Sequence, residues 1–104
     1  MKVEALCIDD KNKPSIIPDS LWIKEKEIYH ITWIFKMVNQ EGIQGCSIAE
    51  KDISAYLPYN CFRLSRFAFK QDDLDKLRQL LIDCTQMNDI NIDKVLEELS
   101  VLAA

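Results

Sequence analysis

Between Ile28 and Val38 the chain is almost wholly apolar, yet the run sorts at period two. Tyr29, Ile31, Trp33, Phe35 and Met37 fall on one face; Ile28, His30, Thr32, Ile34, Lys36 and Val38 make a mixed second face. The pattern predicts a strand buried on one side and partly covered on the other. Its β-branched and aromatic residues fit a pleated surface better than the crowded side of a helix. KVEALCID, from Lys2, is a first strand with apolar residues on both faces, and DDKNKPSIIPDS, with Pro14 and Pro18, is a long loop. In NQEGIQG, Gly42 and Gly45 supply positive φ for a tight reversal, so GCSIAEKDIS pairs back as a hairpin partner. SAYLPYN interrupts the ladder at Pro58 and is expected to form a turn or a single 3-10 turn before a strand over FRLSRFAF.

After Lys70 the period changes. Leu74, Leu77, Leu80, Leu81 and Cys84 recur at three and four, and Asp72 and Asp73 suit a helix N-terminus. The region Asn88 to Asn91 interrupts this stripe, and Ile92, Val95, Leu96, Leu99 and Leu102 form a second one opposite Asp93, Glu97 and Glu98. Two short helices are expected. The second stripe packs on the chain's own sheet or on another subunit, which makes Val95, Leu99 and Leu102 a candidate oligomer interface. The fold class expected is mainly β with C-terminal α: a small antiparallel barrel over residues 1–70 and a helical appendage over 71–104, within one domain.

Composition narrows the class. At 104 residues, 48% hydrophobic and 29% charged, the chain has the material for one core and none of the signatures of disorder. The apolar run is too short for a membrane span and carries His30 and Lys36, and acidic residues break up the start of the chain before a signal-peptide core forms. A cytoplasmic protein is expected. Cys7, Cys46, Cys61 and Cys84 show no CxxC spacing, so they read as buried thiols, not disulfides or a zinc site. A net charge of −4 speaks against a nucleic-acid footprint. The one basic cluster, Arg63, Arg66 and Lys70 among Phe62, Phe67 and Phe69, resembles a stacking platform for single strands, but reads more simply as a strand with core phenylalanines and solvated arginines.

The segments KVEALCIDD, IPDSLWIKEKEIYHIT and ISAYLPYNCFRLSRFAF resemble a group of small bacterial and phage proteins with a Src-homology-3-like barrel. In that group a Lys/Glu-rich loop feeds the long strand and a Pro-Tyr turn precedes an Arg-Phe-Ala strand; the likeness covers about Lys2 to Cys84 and implies a fold without a mechanism. In the peptide-binding Src-homology-3 domains a Pro- and Asn-containing 3-10 turn lines a groove for polyproline ligands. Tyr56, Pro58, Tyr59 and Asn60 are similar to that turn, with Trp22 as the further aromatic, although the Ala-Leu-Tyr-Asp-Tyr opening and paired tryptophans of those domains are missing.

Catalytic signatures are scarce. Two glycines cannot build a phosphate loop, no G-x-S-x-G elbow occurs, and His30 is the single histidine. The expectation is a non-enzymatic interaction module without cofactor or metal, binding an unidentified protein partner or its own copy through Trp22, Tyr56, Pro58 and Tyr59. The alternative is a nucleic-acid-associated accessory protein using Arg63, Arg66 and Lys70.

Overall fold

A computed structural model describes residues 2–36, 43–85 and 90–102. Six strands form one sheet: β1 (Val3–Cys7), β2 (Ile28–Lys36), β3 (Gln44–Ile48), β4 (Phe62–Arg63), β5 (Phe67–Phe69) and β6 (Ser100–Val101). Their order across the sheet is β4-β3-β2-β1-β5-β6, antiparallel throughout except for the parallel pair β5 and β6. Arg63 ends β4 and Phe67 begins β5, with only the 3-10 turn Leu64–Arg66 between them, although three strands separate β4 from β5 in the sheet. Three residues bridge such a gap only if the sheet curls until its two sides approach, so it forms a half-barrel. Alternation sets the inner face: Val3, Ala5 and Cys7 of β1 lie opposite Ile31, Tyr29 and, in β5, Phe67, all of them buried.

The helix α1 (Leu74–Thr85) covers the rest of that face. Its stripe Leu77, Leu80, Leu81 and Cys84 is buried, as the spacing of three and four predicts, and the Ile34 backbone N–H donates to Cys84 Sγ at 3.3 Å. A second helical segment, α2 (Ile92–Glu98), starts at Asn91, whose side chain accepts from the Lys94 N–H at 3.2 Å. Both helices share one hydrophobic core with the sheet.

Four expectations need correcting. First, β2 does not keep one parity. Its pairing with β3 advances from Ile31 to Trp33 while β3 moves only from Ile48 to Ser47, so Thr32 is the extra residue of a β-bulge. A single extra residue moves every later side chain to the other face; Ile34 is fully buried, while Trp33 and Phe35 are only half-buried, Trp33 packing against the margin of the core. Second, Gly45 lies inside β3 opposite Phe35, not in the reversal; Gly42, Met37 and Val38 lie outside the described residues. Third, FRLSRFAF is not one strand but two, β4 and β5, parted by the 3-10 turn, while SAYLPYN carries two successive turns closed by Tyr56 N to Ile53 O at 3.0 Å and Tyr59 N to Tyr56 O at 2.9 Å. Fourth, the second helical stripe stops at Glu98. Leu99 is extended and β6 joins the sheet beside β5, so the C-terminal part is woven into the sheet.

Candidate functional site

Two long connections carry most of the residues that the sequence marks for binding. The first, residues 8–27 between β1 and β2, is fastened down by a polar clasp. Arg66, in the 3-10 turn after β4, donates through one guanidinium nitrogen to the carbonyls of Lys11 at 2.7 Å and Asp9 at 3.3 Å, and lies 3.5 Å from the Asp9 carboxylate. The same guanidinium sits 5.1 Å from the centre of the Trp22 ring, a cation–π contact. Trp22 Nε1 donates to the Asp10 carbonyl at 2.7 Å, and the Asp10 carboxylate accepts the Glu25 N–H at 2.9 Å. Trp22 also packs on Phe62, ring centres 5.3 Å apart.

The consequence for the binding expectations is direct. Trp22 is only 8% exposed and serves as a core residue. The Arg66 side chain is 12% exposed, so the reading of a solvated strand arginine is corrected: its charge is spent on holding the β1–β2 connection. Lys70 is paired with Glu4 at 2.6 Å, which holds the Glu4 carboxyl below and the Lys70 ammonium above their ordinary values; Arg63 is exposed. The three cations of the nucleic-acid alternative therefore do not form one open basic surface.

The second connection, residues 49–61 between β3 and β4, is built differently. Ile53 is buried and Tyr56 packs against the core, but beyond them Leu57 is 69% exposed, Pro58 is exposed and Tyr59 is 48% exposed. The Leu57–Pro58 peptide bond is cis. Polar contacts to the neighbouring strand and loop hold its root, and within it the Ser54 N–H donates to the Asp52 carboxylate at 2.9 Å. Glu50 accepts both the His30 N–H at 2.9 Å and a bond from His30 Nδ1 at 2.6 Å, and Lys51 donates to the Ser20 carbonyl at 2.8 Å. Of the four residues proposed for partner contact, Pro58 and Tyr59 are presented to solvent, Tyr56 is their anchor and Trp22 is internal. Leu57, the most exposed large apolar residue here, went unread in the sequence because an isolated leucine beside a proline carries no periodicity.

The candidate oligomer stripe divides in the same way. Val95 is buried in the chain's own core, Leu99 packs against it, and Leu102 is half-buried with its N–H donating to the Phe69 carbonyl at 2.8 Å. Val95 is thus closed to a second subunit. Between the 3-10 turn and α2 lies a cleft of about 120 Å³ lined by the apolar Leu64, Phe67 and Val95 and by the polar Gln44, Arg63 and Glu98.

Chemistry is sparse among the described residues. No group of three His, Cys, Asp or Glu side chains is placed to hold a metal ion. Burial pushes all four cysteine thiols above their ordinary value, which disfavours the reactive thiolate. No helix among them is long and apolar enough to cross a membrane. Comparison of the chain with protein-family models, with curated proteins and with solved structures finds no match.

Proposed function

We propose that this protein is a non-catalytic interaction module on a Src-homology-3-like half-barrel, contacting a protein partner through the Leu57-Pro58-Tyr59 tip of the β3–β4 connection. The observation that carries it is the exposure of two large apolar side chains, Leu57 and Tyr59, side by side on a turn whose root is anchored. The order β4-β3-β2-β1-β5, with a 3-10 turn joining β4 to β5, supports the barrel assignment. In that assignment the 3-10 turn is Leu64–Arg66, so a polyproline groove built from Tyr56 and Trp22 is not part of the proposal. Raised thiol pKa values and the paired histidine support a binding role over a catalytic one.

A photo-crosslinking amino acid placed at Tyr59 tests this directly. The expected result is one protein adduct in lysate that is missing when the same group replaces Ile82, an exposed α1 residue. Adducts at both positions, or at neither, would remove the tip from consideration. The nucleic-acid alternative rests on Arg63 and Lys70 alone once Arg66 is committed to the clasp, and it requires binding that weakens steeply with salt.

A further inference from the structure

The cleft between the 3-10 turn and α2 lies where the half-barrel stays open. One wall belongs to β4 and the turn that follows it, the other to the end of α2 and the start of β6, and β4 and β6 are the two ends of the strand order. The mouths of barrels are common places for small ligands, with an apolar lining for contact area and a few polar groups for orientation. This lining has that division. Leu64, Phe67 and Val95 are buried, so the apolar part of the cleft belongs to the packed core and is formed before any ligand arrives. Arg63 stands on the β4 wall and Glu98 at the end of α2, both exposed, so opposite charges flank one apolar floor from two different elements. The volume of about 120 Å³ is slightly less than the roughly 150 Å³ that takes up a benzene ring, which suits a short branched hydrocarbon group.

We propose that this cleft binds a small zwitterion with an apolar side chain, a free aliphatic amino acid, with its carboxylate on Arg63, its ammonium on Glu98 and its side chain over Leu64, Phe67 and Val95. Charge complementarity selects this class. A carboxylate without an amine would face Glu98, and an amine without a carboxylate would face Arg63, so a single charge meets a repulsion that the zwitterion offsets. A wholly apolar ligand would draw water away from both charged groups and give them no partner in return. Arg63 has an interaction of its own in the structure, but its guanidinium carries five donors in a planar fork and keeps some for a carboxylate. The site is separate from the tip at Leu57 to Tyr59 and does not depend on what the tip contacts.

Backbone amide NMR of the full chain, titrated with L-leucine, tests the proposal. Saturable shifts are expected at Ser65 and Ser100, which line the two walls, and none at Leu57 or Tyr59. Isocaproate, which is leucine without its ammonium, and isoamylamine, which is leucine without its carboxylate, should each bind at least about tenfold more weakly, the effect of losing one charge-assisted hydrogen bond. Arg63→Gln should bind leucine and isoamylamine alike, and Glu98→Gln should bind leucine and isocaproate alike. Both side chains are exposed, so both variants are expected to keep the native amide spectrum away from the cleft. No saturable shift with leucine, equal affinity for the three ligands, or variants that keep the native preferences would overturn the proposal.

Discussion

The connections β1–β2 and β3–β4 are both long and both contain proline, and they meet the sheet at the same end, where Ile48 of β3 pairs with Ile31 near the start of β2, yet they end in opposite states. The first turns Ile17, Trp22 and Ile23 inward, leaving Ile8 and Ile16 exposed, and Arg66 fastens it with bonds to two carbonyls. The second turns Leu57 and Tyr59 outward and is fastened at its root by Glu50 and Lys51, with Ile53 and Tyr56 packed on the core. Proline content does not separate them. What separates them is a half-buried cation, Arg66, with enough acceptors around it to fix a loop whose own backbone makes few regular bonds.

The comparison breaks most visibly at Trp22. Trp22→Ala removes a core aromatic along with its hydrogen bond and is expected to cost about 3–5 kcal/mol in urea unfolding; a native midpoint would show that the first connection needs no aromatic anchor. Arg66→Met keeps the stem and deletes the charged donors, for a cost of about 2 kcal/mol. In a Trp33→Phe background, acrylamide should then quench Trp22 fluorescence more strongly, and Arg66→Lys should restore only part of the protection because lysine lacks the planar fork.

Acid acts on the other connection. Partial burial alone would raise the Glu50 carboxyl, but the bonds from the His30 ring and backbone N–H outweigh it, so the group titrates below its ordinary value of 4.5. A lowered carboxyl contributes stability that is complete above that ordinary value and lost as pH falls through the folded one. Stability should therefore drop below about pH 4.5 by about 0.5 kcal/mol on this account, allowing for solvent screening, and Glu50→Gln should flatten that part of the profile. Tyr59→Ala is expected to move stability least, within about 0.5 kcal/mol by thermal unfolding, since the side chain is half in water.

Much of the fold was legible where one period dominates. The α1 stripe, the strand character of β1 and β2, and the return of β3 all follow from spacing in the sequence. The bulge at Thr32 was not, because an extra residue leaves no mark on composition and shows only as a register against Ser47 and Ile48. The 3-10 turn inside FRLSRFAF was hidden because Leu64 is buried and so preserves a strand-like alternation. Strand β6 was hidden by the reverse effect: Leu99 and Leu102 continue a helical spacing, and pairing with β5 overrides it. At the candidate site, the turn at Pro58 was readable from proline chemistry, whereas the fates of Trp22 and Arg66 depend on contacts between residues some forty positions apart.

The position of β1 in the sheet has a bearing on synthesis. It lies between β2 and β5, and Leu6 pairs with Ala68. On a growing chain β1 and β2 can meet early, but the other side of β1 stays bare until Phe67–Phe69 has left the ribosome. For that interval the nascent protein exposes an apolar strand edge, and folding has to wait for a contact that spans more than half its length.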